Sequence, residues 1–456
     1  MAELEHRNGF FGLENQRSMR DDVVVIGGGL AGSEAAWQAA ERGVRVTLYE
    51  MRPKQGTAAH KTDQLAEIVC SNSLGSADPL SAPGILKEEM RLLDSLVIRS
   101  AESARVPAGA ALAVDREIFA REITRTLESH PNIRIIREEI REIPTDAPCI
   151  VATGPLTSES LARALTALTH KTNLAFFDAI SPIIDAESID MDKVFRASRY
   201  EKGSADYLNC PMDEETYSAF YEALMAADKV QPKDFEKVPY FEGCLPIEAM
   251  AERGKQTLTF GPMKPVGLVD PRTGVRPHAV LQLRAENRHG SCYNMVGFQT
   301  KLTYPEQKRV FRMIPGLERA EFLRYGSVHR NTFVNSPAVL RNTLQLKASE
   351  TTWLAGCIVG VEGYVECAAT GGLAGINAGR VLADLPLVTP PLATAHGALL
   401  HYITTSDAKH FQPMNTNFGL FPPLPVNVRD KEQKRRMIRE RAFEEWQTWK
   451  RQSALS

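Results

Sequence analysis

Residues 23–50, VVVIGGGLAGSEAAWQAAERGVRVTLYE, limit what this chain can fold into more than any other stretch. Val23 to Ile26 is a short β-branched and aliphatic run of the kind a strand buried on both faces requires. Gly27, Gly29 and Gly32 follow in a G-x-G-x-x-G frame. An alanine-rich helix then runs to Arg42, and Gly43 ends it. Val44 to Tyr49 reads as a second strand, closed by Glu50, 18 residues after Gly32. Each part has a task. The first glycine makes the tight turn, the second lets backbone approach a pyrophosphate, the third lets helix pack on strand, and the carboxylate takes ribose hydroxyls. The competing reading is a glycine-rich turn with no ligand. The residues expected to hold the cofactor here are Gly27, Gly28, Gly29, Leu30, Ala31, Gly32 and Glu50.

Two further segments favour FAD over NAD alone. APCIVATGPLTSESL is a strand leading to Ala152, Thr153 and Gly154, with a helix beginning near Thr157. TTWLAGCIVGVEGYVECAATGGLAGINAGRVLADL repeats the pattern late in the chain: strand, glycine-rich turn with Gly356 and Gly363, then a small-residue helix from about Glu366. In a two-segment FAD site the late helix N-terminus points at the pyrophosphate and the flavin edge. The alternative is a pair of ordinary β–α turns. Between roughly 171 and 324 prolines and aromatics rise, and the stretch from Leu258 to Arg284 reads as extended segments broken by Gly-Pro and Asp-Pro turns. The expected fold is therefore α/β, a Rossmann-like FAD-binding domain of the two-segment, glutathione-reductase-like type with an inserted α+β domain. Residues 21–170 and 325–456 form the discontinuous FAD-binding domain and 171–324 the insertion. Residues 1–20 read as an extension or tag, with Met19 a second candidate start.

A chain of 456 residues is too long for one simple core. Its net charge of −2 gives no global nucleic-acid signal, so an RNA partner would need a local basic patch. Seven cysteines, an odd count without CxxC or Cys/His ligand spacing, argue against a disulfide framework and a zinc site, and no metal is expected. No run approaches the roughly 20 apolar residues of a membrane span, and the N-terminus lacks a signal peptide's apolar stretch. A reduced, cytoplasmic enzyme with no membrane partner is the expectation.

Two cysteines stand in polar, turn-like frames that can expose a thiol: Cys70 in AEIVCSNSLGS and Cys244 in YFEGCLPIEAM. Cys149 and Cys357 fall in apolar strands, Cys367 opens a small-residue helix, and Cys210 and Cys292 flank proline or tyrosine. These five read as packed thiols. A pyridine-nucleotide disulfide reductase would need a CxxC or CxxxxC beside the flavin, and the sequence has neither.

VIGGGLAGSEAAWQ, VCSNSL, GILKEEMRLLDS, FEGCLPIE, FGPMKPVGL, YNMVGFQTKL, HRNTF, GVEGYVE and QPMNTNFGLFP, in this order from about residue 20 to 425, resemble the folate- and FAD-dependent tRNA (uracil-5-)-methyltransferases of bacteria. The larger glucose-inhibited-division-type tRNA modification flavoproteins share the FAD fingerprint but usually carry a C-terminal extension. The resemblance implies that 5,10-methylenetetrahydrofolate supplies a carbon, NADH or NADPH reduces the flavin, and the product is 5-methyluridine at uridine 54 in the tRNA T-loop. It makes Cys244 the nucleophile that adds to uracil C6 and Cys70 the second functional thiol. The chemistry offers Cys70 removal of the C5 proton; the alternatives are a nearby carboxylate or a water as the base, with Cys70 protecting the flavin adduct. Three positions depart from the family pattern: Gly75 follows SNSL where arginine is frequent, Lys301 follows GFQT where histidine is frequent, and Cys367 follows GYVE where serine is frequent. None of the three removes a proposed catalytic group, and the first puts in question any phosphate or folate contact the resemblance would imply from an arginine there.

The tail VNVRDKEQKRRMIRERAFEEWQTWKRQ has nine Lys/Arg against five Asp/Glu, with Trp446 and Trp449 on one helical face. Either its basic residues meet tRNA phosphates or its tryptophan face docks on the core. The remaining rivals are another FAD-dependent tRNA uridine-modifying protein, an NAD(P)H-dependent flavin oxidoreductase, and an RNA-binding protein with structural FAD.

Overall fold

The computed structural model describes residues 21–57, 59–169, 174–201, 205–230 and 245–455. The extension 1–20 and Cys244 lie outside them.

Among the described residues, five parallel strands form the central sheet, in the order Thr352–Leu354, Cys149–Val151, Asp22–Ile26, Arg45–Tyr49 and Ile133–Ile136. Val23, Val24 and Val25 are wholly buried, as both-face coverage of a central parallel strand demands. The strand order reverses around Asp22–Ile26: the chain steps outward through Arg45–Tyr49 and Ile133–Ile136, then returns to Cys149–Val151 on the other side. In an open parallel sheet that reversal leaves a crevice at the carboxyl ends of the strands, where ligands bind.

Two helices on one face carry the glycines that matter most for packing. Leu30–Ala40 is buried along its entire length, and Tyr364–Leu382 crosses it. A Cβ at Gly371 would fall 2.1 Å from the Ala31 carbonyl oxygen, and one at Gly375 2.2 Å from that of Ala35. Only hydrogen side chains allow the two backbones to approach so closely.

The insertion has a six-stranded antiparallel sheet, ordered Phe195–Ala197, Tyr207–Met212, Ala279–Ala285, Cys292–Met295, Ile183–Asp185 and Phe322–Arg324, among the described residues. Helices Glu214–Ala226 and Tyr304–Phe311 cover it, and its core of Phe220, Phe298, Phe311 and Leu281 is separate from that of the first domain. The segment expected to be extended from Leu258 to Arg284 instead opens with the short helix Thr257–Phe260 and becomes a strand only at Ala279. The chain enters the insertion through Leu174–Ile180 and leaves it through Ser327–Phe333, and these two pair antiparallel.

The basic tail is the helix Lys431–Gln452, capped by the Asp430 carboxylate, which accepts from the Gln433 N–H. Trp446 is fully buried and stacks on His396, with ring centroids 4.7 Å apart. The tryptophan face thus docks on the core, leaving Arg435 and Arg436 exposed. No helix among the described residues is long and apolar enough to cross a membrane.

Candidate active site

The carboxyl ends of the central strands open into one cavity of about 520 Å³. Gly27, Gly29, Leu30, Ala31, Glu50, Gly154, Gly356 and Gly363 line it, and so does Cys70. Gly28 and Gly32, expected among the cofactor contacts, are not on its wall and instead shape the turn. The Gly28 N–H donates to Glu50 Oε2 at 2.9 Å, and a Cβ on Gly32 would lie 1.8 Å from the Gly27 carbonyl oxygen. Gly29 is the open position, since a Cβ there would meet nothing within 4 Å. That empty side, together with the first N–H groups of Leu30–Ala40, is where a pyrophosphate fits.

Glu50 is buried at the end of its strand. Its Oε1 accepts from the Arg52 backbone N–H at 3.0 Å and from Arg52 Nε at 2.9 Å. Burial alone would raise this carboxyl, but the Arg52 guanidinium and the Arg52 and Gly28 N–H groups outweigh it and hold the group below its ordinary value. Arg52 in turn reaches Glu67 Oε2 at 2.9 Å. The acid is thus fixed as a carboxylate, able to accept hydroxyl donors. Arg52 is two residues beyond Glu50 and was not singled out from the sequence, although the spacing held the signal.

Cys70 sits at the seam between the two domains. Its backbone N–H donates to the Tyr364 hydroxyl at 2.8 Å, and the Ser71 N–H donates to the same oxygen at 3.2 Å. Burial raises the Tyr364 phenol, so it remains a neutral hydroxyl at working pH. The Cys70 carbonyl accepts from Arg116 Nη2 at 3.2 Å, while Arg116 Nε pairs with Glu286 at 2.5 Å. Next along the loop, Asn72 accepts from Arg284 Nε at 2.8 Å and donates to the Ala285 carbonyl at 3.0 Å, and Arg284 Nη2 donates to Ser71 Oγ at 2.6 Å. The Cys70 loop is therefore held from both domains: Tyr364 and Arg116 come from the first, Arg284, Ala285 and Glu286 from the insertion. None of these partners was legible from the sequence, because each lies at least 46 residues from the loop residue it holds.

Cys149 and Cys210 are fully buried, as packed thiols should be. Cys357 differs from its expected setting: it opens a 3-10 turn, Cys357–Val359, beyond the strand Thr352–Leu354. Cys357 and Cys367 both line the cavity, with their sulfurs 3.0 Å apart. Among the described residues no group of three or more His, Cys, Asp and Glu could hold a metal ion.

A parallel sheet that gathers glycine turns from three separated segments at one cavity defines a dinucleotide-binding protein with a two-segment cofactor domain. Residues 22–386 match the family described as Glucose inhibited division protein A. Two crystal forms of Aquifex aeolicus GidA share the fold, with TM-scores of 0.65 and 0.66, at 16% and 18% identity, covering 96% and 95% of this chain and 76% and 77% of those chains. Much more similar are sequences named Methylenetetrahydrofolate--tRNA-(uracil-5-)-methyltransferase TrmFO. The one from Heliobacterium modesticaldum is 60% identical over 92% of this chain and 96% of its own length. Those from Citrifermentans bemidjiense and Aquifex aeolicus are 58% and 57% identical, over 94% and 96% of this chain and 99% and 98% of theirs. The chain belongs to the TrmFO family.

Proposed function

We propose that this chain methylates C5 of uridine 54 in the T-loop of tRNA, with 5,10-methylenetetrahydrofolate as carbon donor and FAD, reduced by NADH or NADPH, as reductant. The observation that carries the reading is identity of 57–60% over nearly the full length of relatives named for folate-dependent methylation of tRNA uracil at C5. The T-loop position and the nicotinamide cosubstrate extend that name through the family resemblance.

The cavity suits FAD in its donor set. Gly29 leaves open space beside a helix N-terminus, Glu50 is held as a carboxylate, and Gly154, Gly356 and Gly363 bring positive-φ backbone to the same wall. FAD, when bound there, supplies the hydride that completes the methyl group. The chain's own residues do the rest. Cys244 Sγ bonds to uracil C6, which makes C5 electron-rich enough to attack the one-carbon unit. Cys70, fixed at the cavity wall by Tyr364 and Arg116, accepts the C5 proton. Loss of that proton lets the one-carbon unit part from its carrier nitrogen; once the hydride has completed the methyl group, the C6–S bond breaks, Cys244 leaves as the thiolate and the C5–C6 double bond is restored. Holding the Cys70 loop from both domains keeps the base in place while the RNA enters at their seam.

A denaturing gel of each variant with tRNA tests the two roles. Cys244→Ala should give no covalent RNA adduct and no methylated product while still binding FAD. Cys70→Ala should still add to C6 and accumulate the stalled adduct. An adduct that survives Cys244→Ala and vanishes in Cys70→Ala overturns the assignment.

A further inference from the structure

The sequence offers no CxxC, yet the fold brings Cys357 and Cys367 together on the cavity wall with sulfurs 3.0 Å apart. They reach this from different elements. Cys357 opens a 3-10 turn set between Gly356, at φ +84°, and Gly360, at φ +76°, and Cys367 lies in the first turn of Tyr364–Leu382. The chain between them carries Glu362, Gly363 and Tyr364, all on the same wall. Cys357 is half-buried, whereas Cys367 is 5% exposed.

We infer that Cys357 and Cys367 are a reversible dithiol–disulfide pair that sets the rigidity of this wall. A disulfide needs the sulfurs at about 2.05 Å, so bridging requires an approach of only about 1 Å. The oxidant is a small-molecule disulfide of the glutathione type. The Cys357 thiolate, the more accessible of the two, attacks one of its sulfurs and releases one small thiol. The Cys367 thiolate then displaces the second. Two protein S–H bonds and one small-molecule S–S bond are lost. One protein S–S bond and two small thiols form, and the thiols carry away the two electrons and two protons. The bridge closes a loop that includes Tyr364, whose hydroxyl accepts the Cys70 and Ser71 N–H groups. Oxidation therefore tightens both the cofactor wall and the mooring of Cys70. The effect on cofactor exchange rests on FAD as the occupant of the cavity, whereas the bridge itself does not.

The purified, flavin-bearing protein is equilibrated in glutathione buffers from fully reduced to fully oxidised, alkylated, and digested with trypsin. Both cysteines fall in one peptide, Ala348–Arg380. In wild type this peptide should pass from doubly alkylated to unalkylated and lighter by two hydrogens, and return when reductant is added. Cys367→Ser should instead accumulate a glutathione adduct on Cys357. Flavin release, followed by fluorescence on dilution, should be at least tenfold slower in the bridged wild type than in the dithiol form, with no redox dependence in the double variant Cys357→Ser/Cys367→Ser, which can form neither bridge nor adduct. Two alkyl groups retained throughout the series, in protein that is visibly flavin-loaded, would refute the pair and leave the flavin reading intact. A bridge that forms without changing flavin release would refute its coupling to the wall.

Discussion

The same residue type should fail in two different ways at two positions three residues apart. Gly29 has φ −73°, a conformation open to any residue, and a Cβ built there meets no protein atom within 4 Å. Gly29→Val should therefore fold normally and place its methyl groups only where a ligand would lie. Loss of close backbone approach to a pyrophosphate should lower FAD affinity by at least tenfold, about 1.4 kcal/mol. Gly32→Ala is the opposite case. Its Cβ would sit 1.8 Å from the Gly27 carbonyl oxygen, so the helix must retreat by well over 1 Å. Retreat is blocked behind it, where Gly371 and Gly375 already let Tyr364–Leu382 touch the backbone of Ala31 and Ala35. Overpacking commonly costs about 1–3 kcal/mol, and a clash between two backbones that cannot separate belongs at or above the top of that range. The assay is flavin absorbance per mole of purified protein, alongside thermal unfolding of the flavin-stripped forms. Gly29→Val should carry clearly less flavin per mole than wild type when both are equilibrated at the same limiting free FAD, and melt with wild type, and Gly32→Ala should melt well below it. A fully yellow Gly29→Val, or a Gly32→Ala that melts with wild type, would refute the reasoning.

Trp446→Ala should cost about 3–5 kcal/mol, because it empties a fully buried site against His396; chemical denaturation reads the loss directly. His60 is pushed down to about 4, first by burial and then by Arg52, so it is neutral in the folded protein where an unfolded histidine would already be charged. The unfolded state binds more protons between about pH 4 and 6.5, and stability must fall as pH drops through that window. His60→Ala should flatten this acid limb by about 2–3 kcal/mol between pH 7 and 4.5, and urea midpoints at the two pH values measure it. Reversing the charge of Arg435 and Arg436 should reduce the slope of log K for tRNA against log salt by about 1 for each phosphate no longer neutralised. An unchanged slope would leave the tail helix a purely structural element.

What was legible in the sequence was local. The turn at Gly27 to Gly32, the strand ends at Gly154 and Gly356 and the acid at Glu50 each announce themselves within a few residues, because positive φ or close backbone contact demands glycine at Gly27, Gly32, Gly154 and Gly356, and the Gly28 N–H needs an acceptor at the end of the next strand. The spacing of Trp446 and Trp449 likewise revealed a face, though not His396 as what the face covers. The long-range pairings stayed hidden. Tyr364 lies 294 residues from Cys70, and the Arg116–Glu286 pair spans 170. The meeting of Cys357 and Cys367 depends on a 3-10 turn that read as a continuation of the preceding strand. Such contacts follow from how the two domains and the late helix close on one another, and no periodicity records that.

The most direct test of the central claim supplies the purified protein with an unmodified tRNA transcript, NADH or NADPH, and 5,10-methylenetetrahydrofolate labelled in its one-carbon unit. After nuclease digestion, the account predicts labelled 5-methyluridine from position 54, formed by wild type and absent with Cys244→Ala. A flavin-loaded wild-type protein that leaves all folate-derived label out of the RNA would contradict it.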